Sequence, residues 1–243
     1  MEIIGYSERG AMNALFYGMA LNDNGDSQMV EFLRLAAIEC PESFSDFEVY
    51  NEFSLSEFGS PDLVIIAKKG SEKVAFFVEA KVAACDGFKI ESALNEYDRV
   101  NPDTSNLFYQ LKQKADFFEI KDELPGRNDL IESDKGKKSI GNNPVVRKFV
   151  DKIKNCSRAE YIAIIPDVSA EGELWKNSQP IKELPFKLHL IYWESLYNKF
   201  HKELGLLKET IEFNQGRDPK IKSEERIKSQ ILNKPLPQPE HEH

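Results

Sequence analysis

Cysteine and histidine are scarce in this 243-residue chain, which has only Cys40, Cys85, Cys156, His189, His201, His241 and His243. Three scattered cysteines, odd in number, fit buried thiols better than a disulfide framework, and none has a histidine at zinc-knuckle spacing. They read as buried thiols in a reducing, cytoplasmic setting. His189 alternates with apolar residues and reads as a structural histidine, while the closing His-Glu-His lacks the third ligand of a dedicated metal site. No apolar run approaches the roughly 18–20 residues needed to cross a bilayer, so no membrane partner is expected. Glu2 and Glu8 stand where a secretory signal would place a basic segment before an apolar one. Gly5, Gly10 and Gly18 do not make a dinucleotide fingerprint, and no G-x-x-x-x-G-K-[ST] loop exists, which argues against ATP-driven chemistry. Ser56 and Ser60 have no histidine and acid arranged to activate them.

Excess positive charge is also missing. The net charge of −9 argues against a uniformly basic nucleic-acid binder. Its distribution tempers that, because the segment from Lys135 to Arg158 is basic apart from Asp151. Lys137, Lys138, Arg147 and Lys148 within it are candidates for contacting a nucleic-acid backbone. A solvated helix face beside a lysine-rich loop accounts for the same residues.

The most informative stretch is Ser60-Pro61-Asp62, an apolar run, the turn Gly70-Ser71, a second apolar run and Glu79-Ala80-Lys81. Apolar segments flanking Gly-Ser read as a β-hairpin. If Lys69 and Glu72 flank the turn, Asp62 falls opposite Glu79, with Cβ atoms about 4.5–5.5 Å apart. Lys81, two residues further on, shares that face. Two opposed carboxylates destabilise a sheet, so the arrangement asks for a cation. A one-residue slip would separate the faces.

Pro61-Asp62, one hairpin, then Glu79-Ala80-Lys81 resembles the PD-(D/E)XK motif of the restriction-endonuclease-like nucleases. The resemblance covers mainly residues 1–120. It implies an α/β fold with an αβββαβ core, a central mixed sheet flanked by helices. It also implies a phosphodiesterase dependent on Mg²⁺ or Mn²⁺ without fixing its substrate; a nuclease cutting DNA rather than RNA, for restriction, defence or repair, is the leading reading. Asp62 and Glu79 match the metal-binding acids, with the backbone carbonyl of Ala80 as a further ligand. Lys81 matches the lysine beside the attacking water. Many relatives add an acid from a preceding helix; Glu8, beside the small residues of Arg9-Gly10-Ala11, is preferred here over Glu31. Gln110 stands where some related nucleases place a glutamine, although Lys114 replaces the tyrosine four residues later. Cutting both strands of a duplex favours a homodimer. Two other readings remain. One is a catalytically silent domain of this fold that binds nucleic acid or protein. The other is an unrelated α/β protein whose hairpin charges form a structural ion pair.

The rest of the chain reads as one domain over 1–207 with a charged, partly disordered tail over 208–243. Helices are expected at 8–21 (capped by Ser7), 27–39 (ended by Pro41), 106–120, 144–155 and 194–207, with a short one within 86–103. Strands are expected at 47–55, 161–165 and 187–193, and a long loop or insertion at 121–143.

Overall fold

The structure is a computed structural model that describes residues 8–51, 53–81, 90–97, 103–122, 131–133, 136–138, 141, 143–165 and 179–216. Ser7, Cys85 and most of the tail lie outside them. Among the described residues the chain is an α/β protein with a five-stranded mixed sheet flanked by helices. The sheet strands are β1 (Phe44–Asn51), β2 (Leu63–Lys69), β3 (Glu72–Ala80), β6 (Arg158–Ile165) and β7 (Leu188–Tyr192), adjacent in that order. A small separate hairpin is formed by β4 (Ile131–Ser133) and β5 (Gly136–Lys138). β1, β2 and β3 form an antiparallel meander, whereas β3, β6 and β7 run parallel. Parallel neighbours need a long crossover. Between β3 and β6 it contains α3 (Ile90–Tyr97), α4 (Leu107–Glu119), the small hairpin and α5 (Pro144–Lys154).

The central strands are continuous apolar runs because both faces of the sheet are covered. Leu63, Ile65, Ala67, Val74, Phe76, Val78 and Ala80 point into one core. That core is closed by α1 (Glu8–Ala20), α2 (Gly25–Leu35) and, after the short α6 (Gln179–Lys182), by α7 (Trp193–Phe200) and α8 (Gly205–Gly216). Val64, Ile66, Ala75 and Phe77 point into the other, filled by α3, α4 and α5. Asn106 starts α4 by accepting hydrogen bonds from the backbone N–H groups of Phe108 and Tyr109. Asn143 caps α5 in the same way, with Pro144 in its first turn.

Several boundaries differ from the sequence reading. β1 spans Phe44–Asn51 rather than 47–55, with a bulge at Asp46 and Phe47 that sets Asp46 at φ 51°. α2 stops at Leu35, well before Pro41. The Ala37 N–H bonds to Arg34 O and the Ile38 N–H to Leu33 O, both at 3.0 Å, with Ala37 at φ 53°. This helix-ending pattern normally uses glycine; here it turns Ile38 back into the core beside Leu33. The 121–143 segment contains the β4–β5 hairpin rather than loop alone. The helix expected over 194–207 is two, α7 and α8, separated at residues 201–204, and α8 runs across residue 208 with Thr210 and Ile211 buried. Cys40 is exposed rather than buried; Cys156 is buried, which pushes its thiol up to about 11.

Candidate functional site

The β2–β3 ladder pairs Lys69 with Glu72 at the turn and Leu63 with Val78 at the far end. Gly70 supplies the turn with φ 64°, a conformation that costs glycine little. Continuing the same register by one residue sets Asp62 opposite Glu79. Strand alternation puts both, and Lys81, on the face covered by α4. Ala80 points its methyl group into the opposite core.

Asp62 and Glu79 sit in unlike surroundings. The half-buried Asp62 accepts a 2.8 Å hydrogen bond from the backbone N–H of Ala80 through Oδ2. That bond crosses between the strand ends and fixes the carboxylate against β3. Glu79 is only 1% exposed. Burial, and secondarily the charge of Asp62, push its pKa up to about 7, against the opposing pull of Lys114 and Lys81. Lys81 is half-buried where β3 leaves the sheet. Its backbone is held at both polar groups: the N–H donates to Ile164 O at 2.8 Å, and the carbonyl accepts from Trp193 Nε1 at 2.9 Å.

Sequence reasoning missed Lys114. Its side chain is 1% exposed, and Nζ lies 3.0 Å from Glu79 Oε1. The contact is close enough for an ion pair, yet its angle leaves Oε1 without an aligned hydrogen bond. Gly59, at φ 81°, makes room for it, since a Cβ there would lie 3.0 Å from Nζ. The signal was present in the sequence: Lys114 falls among Leu107, Leu111 and Ala115 on the apolar stripe of α4, where a lysine needs a buried partner. Gln110, one turn earlier on α4, has a buried Oε1 with no hydrogen-bond partner.

The other candidates are placed as follows. Glu8 is the first residue of α1, and its side chain lies outside the described residues. The Asn51 amide donates to Asn13 Oδ1 at 2.9 Å, which ties α1 to the end of β1 that pairs with Leu63. Glu31 is engaged elsewhere, in ion pairs with Arg34 and, at 2.5 Å, with Lys199. Lys137 and Lys138 lie on β5, where the backbone register pairs them with Glu132 and Ile131; their side chains lie outside the described residues. Arg147 donates from Nε to Gly141 O at 3.1 Å, and Lys148 is exposed on α5. The basic segment is therefore partly spent on internal contacts, Lys152 being paired with Glu48. His189 is a satisfied structural histidine, its ring nitrogens 2.9 Å from Ala36 O and 3.0 Å from Glu160 Oε2.

Among the described residues, no group of three or more His, Cys, Asp or Glu side chains converges. Asp62 and Glu79 nevertheless offer two carboxylates on one face, and Mg²⁺ commonly uses only one or two, keeping water and substrate for the rest. The buried Oε1 of Glu79, without a hydrogen-bond partner, fits such an ion or its water shell. Lys114 competes for the same carboxylate.

Comparison with protein-family models, with curated proteins and with solved structures gave no significant match. No helix among the described residues is long and apolar enough to cross a membrane.

Proposed function

We propose that this chain is a divalent-metal-dependent phosphodiesterase with a restriction-endonuclease-like core, acting on nucleic acid, with DNA preferred to RNA. The hairpin register carries the reading: it aligns Asp62 with Glu79 and leaves Lys81 on the same face. The succession of α1, the β1–β2–β3 meander, α4 and the parallel β6 supports it, since it follows the αβββαβ order. Asp62 and Glu79 would hold Mg²⁺ or Mn²⁺, with the Ala80 carbonyl and Glu8 as additional ligands. Such an ion, when bound, supplies Lewis-acid polarisation of the phosphoryl group and acidifies water. Lys81 orients the attacking water and offsets charge developing on the phosphate. Gln110 hydrogen-bonds water or substrate from α4.

Lys114 favours a second reading. Its ammonium already gives Glu79 a cationic partner, so a silent domain that binds nucleic acid would be electrostatically complete without metal. Calorimetric titration with Mn²⁺ separates the two. The enzyme reading expects binding at millimolar or lower metal that is lost in Asp62→Asn, together with metal-dependent cleavage of single-stranded, double-stranded or branched DNA. Absence of Mn²⁺ binding by the wild type would sink the enzyme reading in favour of the silent domain.

A further inference from the structure

Beside the candidate site, on the same face of the sheet, lies a groove of about 520 Å³ lined by Tyr50, Phe53, Phe149, Pro144, Val145 and Lys148. That volume is within the roughly 300–1,000 Å³ typical of small-molecule sites. The three aromatic rings pack on one another, with centroids 4.4 Å apart for Phe53 and Phe149, 4.9 Å for Tyr50 and Phe149, and 5.8 Å for Tyr50 and Phe53. Phe149 is buried by its neighbours, whereas Tyr50 and Phe53 are only half covered. Val145 forms another wall and is 58% exposed.

The rim carries positive charge. Lys148 is exposed, and Lys152 reaches over the Tyr50 ring, 5.4 Å from its centroid. Glu48, on the same strand as Tyr50, accepts a hydrogen bond from the Tyr50 hydroxyl and is paired with Lys152 and, at 3.8 Å, with Lys73, so its charge is offset. Aromatic faces with cations at the edge are the features that hold an unpaired nucleobase and its phosphates.

The position of the groove is set by the sheet. Tyr50 pairs with Val64, and Asp62 stands two residues earlier in the chain, immediately before β2. A strand spacing near 4.8 Å and a rise near 3.4 Å per residue place the Tyr50 and Asp62 backbones about 8 Å apart. A neighbouring nucleotide spans that separation. We propose that this groove binds an unpaired nucleobase flanking the phosphate presented to Asp62 and Glu79, so that the chain engages single-stranded nucleic acid, or a frayed or flapped end, in preference to a closed duplex. The placement beside a reacting phosphate rests on the function proposed above; the groove's affinity for an unpaired base does not.

The test is fluorescence anisotropy in EDTA, which suppresses cleavage, with the full chain and three probes: a 15-mer of thymidine, a 15-mer of uridine and a blunt DNA duplex. Wild type is compared with Val145→Glu, Val145→Leu and Lys148→Glu. An acid near the start of α5 favours the helix, so Val145→Glu should fold while blocking the groove. The expected results are stronger binding of the single strands than of the duplex, roughly tenfold weaker single-strand binding by Val145→Glu, and retained binding by Val145→Leu. Lys148→Glu should lower the slope of log affinity against log salt by about one. A higher affinity for the uridine or the thymidine probe tells RNA from DNA. Unchanged single-strand binding in folded Val145→Glu and Lys148→Glu, or no binding of any probe by wild type, overturns the proposal and leaves the groove as a protein contact. Absence of Mn²⁺ binding by the wild type, with groove-dependent oligonucleotide binding intact, would instead remove the nuclease reading alone.

Discussion

Lys114 Nζ lies 3.0 Å from Glu79 Oε1, and both side chains are 1% exposed. Breaking a buried pair by removing one partner typically costs about 3–5 kcal/mol, because the remaining charge stays buried alone. Lys114→Met should therefore lower stability by up to about that amount near pH 8, where Glu79 must either stay ionised without a partner or take up a proton. The double variant Glu79→Gln/Lys114→Met should recover much of the loss. Urea denaturation of all four members of the cycle measures the coupling. Additive single effects would show that the pair does not interact as drawn.

Asp62 has a structural bond as well as a candidate chemical role. Asp62→Ala leaves the Ala80 N–H without its acceptor, at a cost of about 1–3 kcal/mol. Asparagine keeps a carbonyl oxygen there while removing the charge. Asp62→Asn should thus lose Mn²⁺ binding and cleavage with nearly wild-type stability, whereas Asp62→Ala should lose stability too. If Asp62→Asn retained metal-dependent cleavage, the acid would have no part in catalysis.

Glu79 also sets a pH dependence in the metal-free protein. Its carboxyl, pushed up to about 7 mainly by burial, holds its proton more tightly folded than unfolded. Between pH ~4.5 and ~7 the folded state binds the extra proton. This contribution is therefore stabilising at low pH, falls as pH rises through that window by at most about 3 kcal/mol, and is lost above it. Urea midpoints measured from pH 5 to 8 in EDTA check this. Glu79→Gln, which cannot titrate, should flatten the profile over the same range.

At the end of α2, Ala37 holds φ 53°, a left-handed conformation that costs an L-residue roughly 1–2 kcal/mol. Ala37→Gly should raise stability by up to about 1 kcal/mol, or roughly 2–4 °C in Tm for a domain of this size. Thermal unfolding followed by circular dichroism suffices. A lower Tm would mean that the alanine methyl packs usefully.

How much could be read beforehand differs from residue to residue. The β2–β3 register was legible because Gly70-Ser71 fixes the turn and the apolar runs on either side leave little freedom to slip. The start of α5 was legible from Pro144 and α4 from its apolar spacing, although Asn106, read as part of that helix, is its cap. The early end of α2 was not. Ala37 carries no mark of a left-handed turn, and it is the burial of Ile38 that imposes one. Lys114 escaped for a related reason. A lysine on a helix reads as surface until the partner 35 residues earlier in the chain, Glu79, is brought beneath it. Local signals gave the scaffold of the candidate site, and a long-range contact completed its charge.

The bond from Trp193 Nε1 to the Lys81 carbonyl joins the last third of the chain to the strand end where Lys81 emerges. Lys81 thus stands at a keystone between two halves of the molecule, although it lies in the first third of the sequence. Damage to the packing of α7 should therefore be felt first as misaim of the Lys81 backbone, before the sheet itself loosens.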